Sequence, residues 1–152
     1  MPYPEYLVAP MRQELIDLGV RELRTAAAVD AFVSQTPGTV LIVVNSVCGC
    51  AAGKARPGLA LALSHGPRPD AIGSVFAGFD VDATAQARQH FEGFLPSSPS
   101  LALLRDGKIL YMLERHDIEN RDALAVAAQL SMAFERFCPA PAQAAAAGKP
   151  SA

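Results

Sequence analysis

The chain has 152 residues, 51% of them hydrophobic and 18% charged, with a formal net charge of -2. Such a length and balance suit one soluble globular domain with a real core. They exclude a strongly basic nucleic-acid footprint and a polybasic membrane-binding run, and no apolar stretch is long enough to cross a bilayer.

The opening Met1-Pro2-Tyr3-Pro4-Glu5 lacks a charged region followed by an apolar one, so no signal peptide is expected. Three cysteines without an export signal argue against a structural disulfide framework. They fit a reducing cytoplasm, where disulfides are transient and catalytic.

Taken in order, Pro10 to Leu18 predicts a short amphipathic helix, with Pro10 in its first turn and Gly19 ending it. Val20 to Leu23 predicts a short strand. Thr25 is placed to cap a helix running to about Gln35, with Ala28, Val29 and Phe32 inward. Thr36-Pro37-Gly38 is a turn signal. Val40 to Val44 is an apolar, β-branched run that suits a central strand covered on both faces. Small residues follow, and Ala51 to Ser64 reads as a helix kinked by Pro57.

A loop from His65 to Asp70 leads to a strand over Ile72 to Phe79, in which Gly78 marks a bulge or close approach. Asp82 or Thr84 is expected to cap a helix through Phe91, with Arg88 and Glu92 on its wet side. After the Leu95–Ser100 loop, Leu101 to Arg105 and Lys108 to Glu114 form a hairpin about Asp106-Gly107. Glu119 or Asn120 opens a last helix to Phe137, with Leu124, Ala127, Ala128, Leu130, Ser131, Phe134 and Phe137 as its apolar stripe. Residues 139–152 are rich in alanine and proline, and a disordered tail is expected there. The folded domain is therefore expected over residues 1–138, as an α/β fold whose mixed sheet is flanked by helices.

The chemistry is expected at Cys48-Gly49-Cys50, where the central strand turns into a helix. Thiols there lie near free backbone N–H groups and the positive end of a helix dipole, and both favour thiolate. Cys48, at the strand end, is the candidate attacker in thiol–disulfide exchange, and Lys54 is placed to add a weak positive field. Cys50 is the resolving thiol, or a bystander. With one residue between them, the two sulfurs can close only a small, strained ring. Gly49 eases that strain by admitting unusual dihedrals.

The element order resembles the thioredoxin fold, and Ser98-Pro99-Ser100-Leu101 resembles its cis-proline loop. More narrowly, Asn45-Ser46-Val47-Cys48-Gly49-Cys50-Ala51-Ala52-Gly53, Tyr6 to Arg12 and Phe134 to Cys138 resemble the bacilliredoxin family over residues 3–138. The resemblance implies removal of bacillithiol from mixed disulfides on cytosolic client proteins, with bacillithiol as thiol co-substrate and no bound cofactor. It also implies a cis Pro99, and Ser98 and Pro99 facing Cys48. The chain departs from ordinary thioredoxins at Ile42, where those proteins carry a buried acid, and in its Cys-x-Cys spacing.

Other readings stand beside this one. The protein is alternatively a disulfide isomerase, or a non-catalytic or metal-holding interaction module. A lone Cys-x-Cys is a weak zinc signal, and His65, His90 and His116 lack metal-ligand spacing, so no metal is expected. Cys138 is a packed thiol, an auxiliary redox centre or an intermolecular link. Lys54 and Arg56 read as exposed helix charges, the alternative being that they attract the carboxylates of bacillithiol, and Arg115, His116 and Asp117 read as a solvated corner. A monomer or weak homodimer is expected.

Overall fold

A computed structural model describes residues 3–138, and the apolar run at Val40 lies at its centre. The strand β2 spans Thr39–Asn45, and all seven of its residues are buried. Alternation along the strand divides these side chains between two cores. Leu41 and Val43 enter one core, and Val40, Ile42 and Val44 enter the other. Each such side chain stabilises the fold by about 1.5–3 kcal/mol relative to exposure.

The sheet has five strands in the order β1-β3-β2-β4-β5. Strand β1 (Arg21–Glu22) and β2 both run parallel to β3 (Ala71–Phe76). Strands β4 (Ser100–Arg105) and β5 (Lys108–Leu113) are antiparallel, so the sheet is mixed. Helices α1 (Glu5–Ile16), α2 (Ala26–Gln35), α3 (Arg56–Leu63), α4 (Val81–Gln89), α5 (Arg115–Glu119) and α6 (Ala123–Phe137) complete the fold. Residues of α3 and α6 share the core of Leu41, and those of α2 and α4 share the core of Ile42. This is the expected α/β sandwich, consistent with a thioredoxin-like fold.

Several local expectations hold for the reasons given. The Thr25 hydroxyl accepts the N–H of Ala28 and caps α2. Asp106 and Gly107 both take positive φ, 52° and 77°, as a tight hairpin requires.

Others are corrected. Helix α1 starts at Glu5, so Pro10 lies inside it, and Val8, Arg12 and Leu15 form its buried face. A π-helical turn, Ala51–Ala55, precedes α3. Pro57 therefore sits in the first turn of α3, where a missing N–H and a fixed φ are tolerated. Strand β3 stops at Phe76, and Gly78 lies in the turn beyond it with φ 82°. The N-cap of α4 is Asp80, whose carboxylate instead binds Arg12 and Arg24. Helix α6 starts after Asp122, whose side chain accepts the N–H of Ala125. Its buried stripe contains Val126 and Ala133, whereas Leu124 is 71% exposed. The tail expected from Pro139 lies outside the described residues. No helix among the described residues is long and apolar enough to cross a membrane.

Candidate functional site

The sheet register brings two chain segments together. Val44 of β2 pairs antiparallel with Ser100 of β4. The residues just after β2 therefore lie beside those just before β4, and these are the cysteine turn and Ser98-Pro99. The Ser98–Pro99 peptide bond is cis.

The end of β2 is fixed by a buried polar network. Asn45 is 2% exposed and Arg56 3%. The Asn45 Oδ1 accepts the Ser46 N–H at 2.9 Å and Arg56 Nη1 at 2.8 Å. Arg56 Nη1 also donates to the Ser46 carbonyl at 3.0 Å, and its Nε to Glu14 at 3.0 Å. Arg56 is thus no exposed helix charge. The π-helical turn aims it back beneath the strand end, where it satisfies oxygens that the sheet leaves unpaired.

Cys48 is half-buried, and its Sγ lies 3.1 Å from the Ser46 hydroxyl. Burial pushes the Cys48 pKa up, but opposing effects prevail and the pKa is lowered overall. They are the Ser46 hydroxyl, the backbone N–H groups of Ala51 and Cys50, and the charge of Arg115. A pocket of about 330 Å³ opens on this sulfur, walled by Ser46, Gly78, Arg88, Ser98, Arg115 and Tyr3. Tyr3 lies across Gly78, whose absent side chain permits the approach: a Cβ there would come within 2.7 Å of the ring. A larger hollow of about 540 Å³, between α2 and β1, contains no thiol.

The remaining expected site residues are spread out. Cys50 is half-buried, does not line the pocket, and packs against the core shared by α3 and α6. Gly49 is exposed, takes no positive φ, and has open space where a Cβ would stand. The unusual dihedral expected of it is therefore not used in the dithiol form. Cys138 is 3% exposed and ends α6, near Thr39 at the start of β2. Cys48 follows the opposite end of that strand, about 20 Å away at 3.3 Å per residue. Burial raises the Cys138 pKa, Asp70 adds to the effect, and Thr39 and Arg105 oppose it. Lys54 donates to the Glu119 carbonyl at 2.6 Å, so its ammonium is tied to the end of α5.

Among the described residues, the one cluster of three or more His, Cys, Asp or Glu side chains with converging ligand atoms is Glu114, His116 and Asp117. It contains neither Cys48 nor Cys50.

Sequence reasoning missed Ser46, Arg88, Arg115 and Tyr3. Arg88 was expected on the wet side of α4, but it is half-buried, and its Nη2 donates to the Ser97 carbonyl at 3.4 Å. Arg115 is exposed, as expected of a solvated corner, and its Nη1 also donates to the Ser98 carbonyl at 3.2 Å. The available signal was a capping box: the Glu114 side chain accepts from the Asp117 N–H, and Asp117 returns the bond to the Glu114 N–H. That box starts α5 at Arg115, immediately beside the cis-proline loop.

A mixed sheet with a cysteine turn at the end of its central strand, beside a cis-proline loop, defines a thioredoxin-like thiol–disulfide oxidoreductase. Comparison with known proteins narrows this class. Residues 3–138 match the family described as "Disulphide isomerase". The chain is 51% identical to a bacilliredoxin of Koribacter versatilis over 142 residues, covering 93% of this chain and 98% of the relative. It is 49% identical to a bacilliredoxin of Cytophaga hutchinsonii, covering 89% of this chain and 99% of the relative. A bacilliredoxin of Geobacillus kaustophilus is also 49% identical, over 90% of this chain and 94% of that one. The chain belongs to the bacilliredoxin family.

Proposed function

We propose that this protein removes bacillithiol from mixed disulfides on cytoplasmic client proteins, with Cys48 as the attacking thiolate. The observation that carries this reading is the half-buried Cys48 sulfur, open to a pocket and surrounded by donors that favour its charged form. The names of the relatives supply bacillithiol as the thiol.

The Cys48 thiolate attacks the bacillithiol sulfur of the mixed disulfide. A bond forms between those two sulfurs, and the client sulfur leaves with the electron pair as a thiolate. A second bacillithiol, as thiolate, then attacks the bacillithiol sulfur on Cys48. Bacillithiol disulfide is released and the Cys48 thiolate returns. Cys50 resolves along a second branch, attacking Cys48 Sγ and expelling bacillithiol as a thiolate. The resulting Cys48–Cys50 bond closes a small ring and awaits a dithiol reductant. Ring strain and the packing of Cys50 against the core favour the first branch. Ser98 lines the pocket, Pro99 next to it is buried, and this loop offers backbone to an extended client segment. No bound cofactor is required.

The test is release of bacillithiol from a modified client. Cys48→Ser abolishes release, and Cys50→Ser retains part of it. Full release by Cys48→Ser overturns the assignment. A second reading, isomerisation of scrambled disulfides, is favoured by the description of the matched family. Reactivation of a scrambled substrate, compared with release from a bacillithiolated one, separates the two.

A further inference from the structure

The two arginines at the Cys48 pocket carry more positive charge than stabilising the thiolate requires. Arg88 reaches the pocket from α4 and Arg115 from α5. Among the described residues no carboxylate lines this pocket. Among the described residues Arg88 has no acidic partner, and its Nε is buried without a hydrogen-bond acceptor. Its one hydrogen bond there, to the Ser97 carbonyl, is long at 3.4 Å. Arg115 pairs with Glu119 at 3.3 Å and holds Ser98, but Glu119 lies outside the pocket. Arg88 is half-buried and lines the pocket, and the described residues leave its guanidinium short of acceptors. Guanidinium forks bind carboxylates in a directed, often bidentate way.

We propose that Arg88 and Arg115 form an anion-binding subsite beside Cys48, which selects a carboxylate-bearing low-molecular-weight thiol as the partner in exchange. This deepens the proposed function and rests on Cys48 being the attacking sulfur. Arg88 supplies the specificity, because among the described residues its guanidinium has no acidic partner and one long hydrogen bond. Arg115 adds charge and also favours the thiolate. The carboxylates would bind between the two guanidiniums while the attached sulfur faces Cys48. A neutral or cationic thiol of similar size would lose this anchorage.

The test uses the full chain and two small disulfides, dithiobis-nitrobenzoate, a dianion, and dithiodipyridine, which is neutral. In each, the Cys48 thiolate bonds to one sulfur, the sulfur–sulfur bond breaks, and an absorbing aryl thiolate or thione leaves with the electron pair. The phase lost in Cys48→Ser is the one read. The quantity measured is the ratio of the two rate constants, so a change in thiolate fraction cancels. Arg88→Gln and Arg115→Gln are each expected to lower the preference for the dianion by about tenfold. Arg88→Lys, which keeps the charge but loses the fork, is expected to lower it less, and added salt to reduce the wild-type preference.

A ratio unchanged from wild type in either glutamine variant overturns the two-arginine subsite. Equal losses on both disulfides, including in Arg88→Lys, also overturn it, and would leave Arg88 as a brace for the Ser97 loop. Failure of wild type to react with either disulfide defeats the Cys48 assignment itself, and is thereby distinguished from failure of the subsite.

Discussion

Ser46 does more at this site than its place in the sequence suggests. It is 6% exposed, and its hydroxyl lies between the Cys48 backbone N–H at 3.4 Å and the Cys48 sulfur at 3.1 Å. A thiolate accepts that hydroxyl hydrogen more strongly than a thiol does, so the bond favours ionisation. The alkylation rate of Cys48 should follow its thiolate fraction, rising with pH through the Cys48 pKa and levelling above it. A lowered pKa shifts that curve to lower pH than an ordinary thiol, which titrates near about 8.5. Ser46→Ala should move the curve back and slow alkylation at neutral pH by about fivefold, the equivalent of one hydrogen bond. A pH series with a small alkylating reagent measures both. The same shift stabilises the fold above the free-thiol pKa, and that contribution is lost as pH falls through the pKa of Cys48. Cys138 should react only when the chain unfolds, because it is buried and its pKa is raised. Mass analysis of partly alkylated native protein should find Cys48 labelled and Cys138 free.

At the scale of elements, the hairpin delivers Arg115. Arg105 pairs with Lys108 and Leu104 with Ile109, but Leu103 pairs with Tyr111. The irregularity between Leu103 and Leu104 inserts one residue, so Leu113 faces Leu101. Two residues on, the Arg115 N–H donates to the Ser97 hydroxyl at 3.4 Å and its Nη1 to the Ser98 carbonyl at 3.2 Å. A second element-scale constraint is the close packing of α3 on α6. A Cβ at Gly58 would lie 2.6 Å from a Val126 methyl and 3.2 Å from the Ala123 carbonyl. Gly58→Ala gains helix propensity, yet it should still destabilise the protein by about 1–2 kcal/mol through overpacking. Gly49→Ala, which meets open space, is the control. Thermal unfolding of both variants tests the contrast.

At the scale of the molecule, two buried arginines connect distant parts of the chain. Arg12, from α1, pairs with Glu22 at 2.8 Å and Asp80 at 2.9 Å, and it stacks on Phe79 at 4.5 Å. It thereby joins α1, β1 and the start of α4. Arg12→Met leaves Asp80, itself 8% exposed, with only Arg24 as a partner. It should destabilise the fold by about 3 kcal/mol, read as a lower urea midpoint. Arg56→Met should cost less, about 2 kcal/mol, because Glu14 is half exposed and regains water. Its second effect should be on activity, since the Ser46 carbonyl and the Asn45 amide lose their brace. Parallel exchange kinetics would separate the two.

The amino-acid sequence by itself determined the central strand, the cysteine turn, the hairpin and the cap of α2. Each is a local matter: an apolar run, a pair of thiols among small residues, Asp-Gly, and Thr three residues before an N–H it can accept. The resemblance carried by the cysteine turn and the Ser98-Pro99 loop supplied the cis bond and the family. Only the tertiary structure decided which charges are at the sulfur. Lys54 and Arg56 lie nearer Cys48 in sequence, yet one is tied to Glu119 and the other is buried under β2. Arg88 and Arg115 reach the pocket from elements far along the chain, placed there by the packing of α4 and by the capping box that starts α5. Hydropathy and turn chemistry act over a few residues. The side of a helix on which a charge ends up depends on what that helix packs against, and no local pattern encodes that.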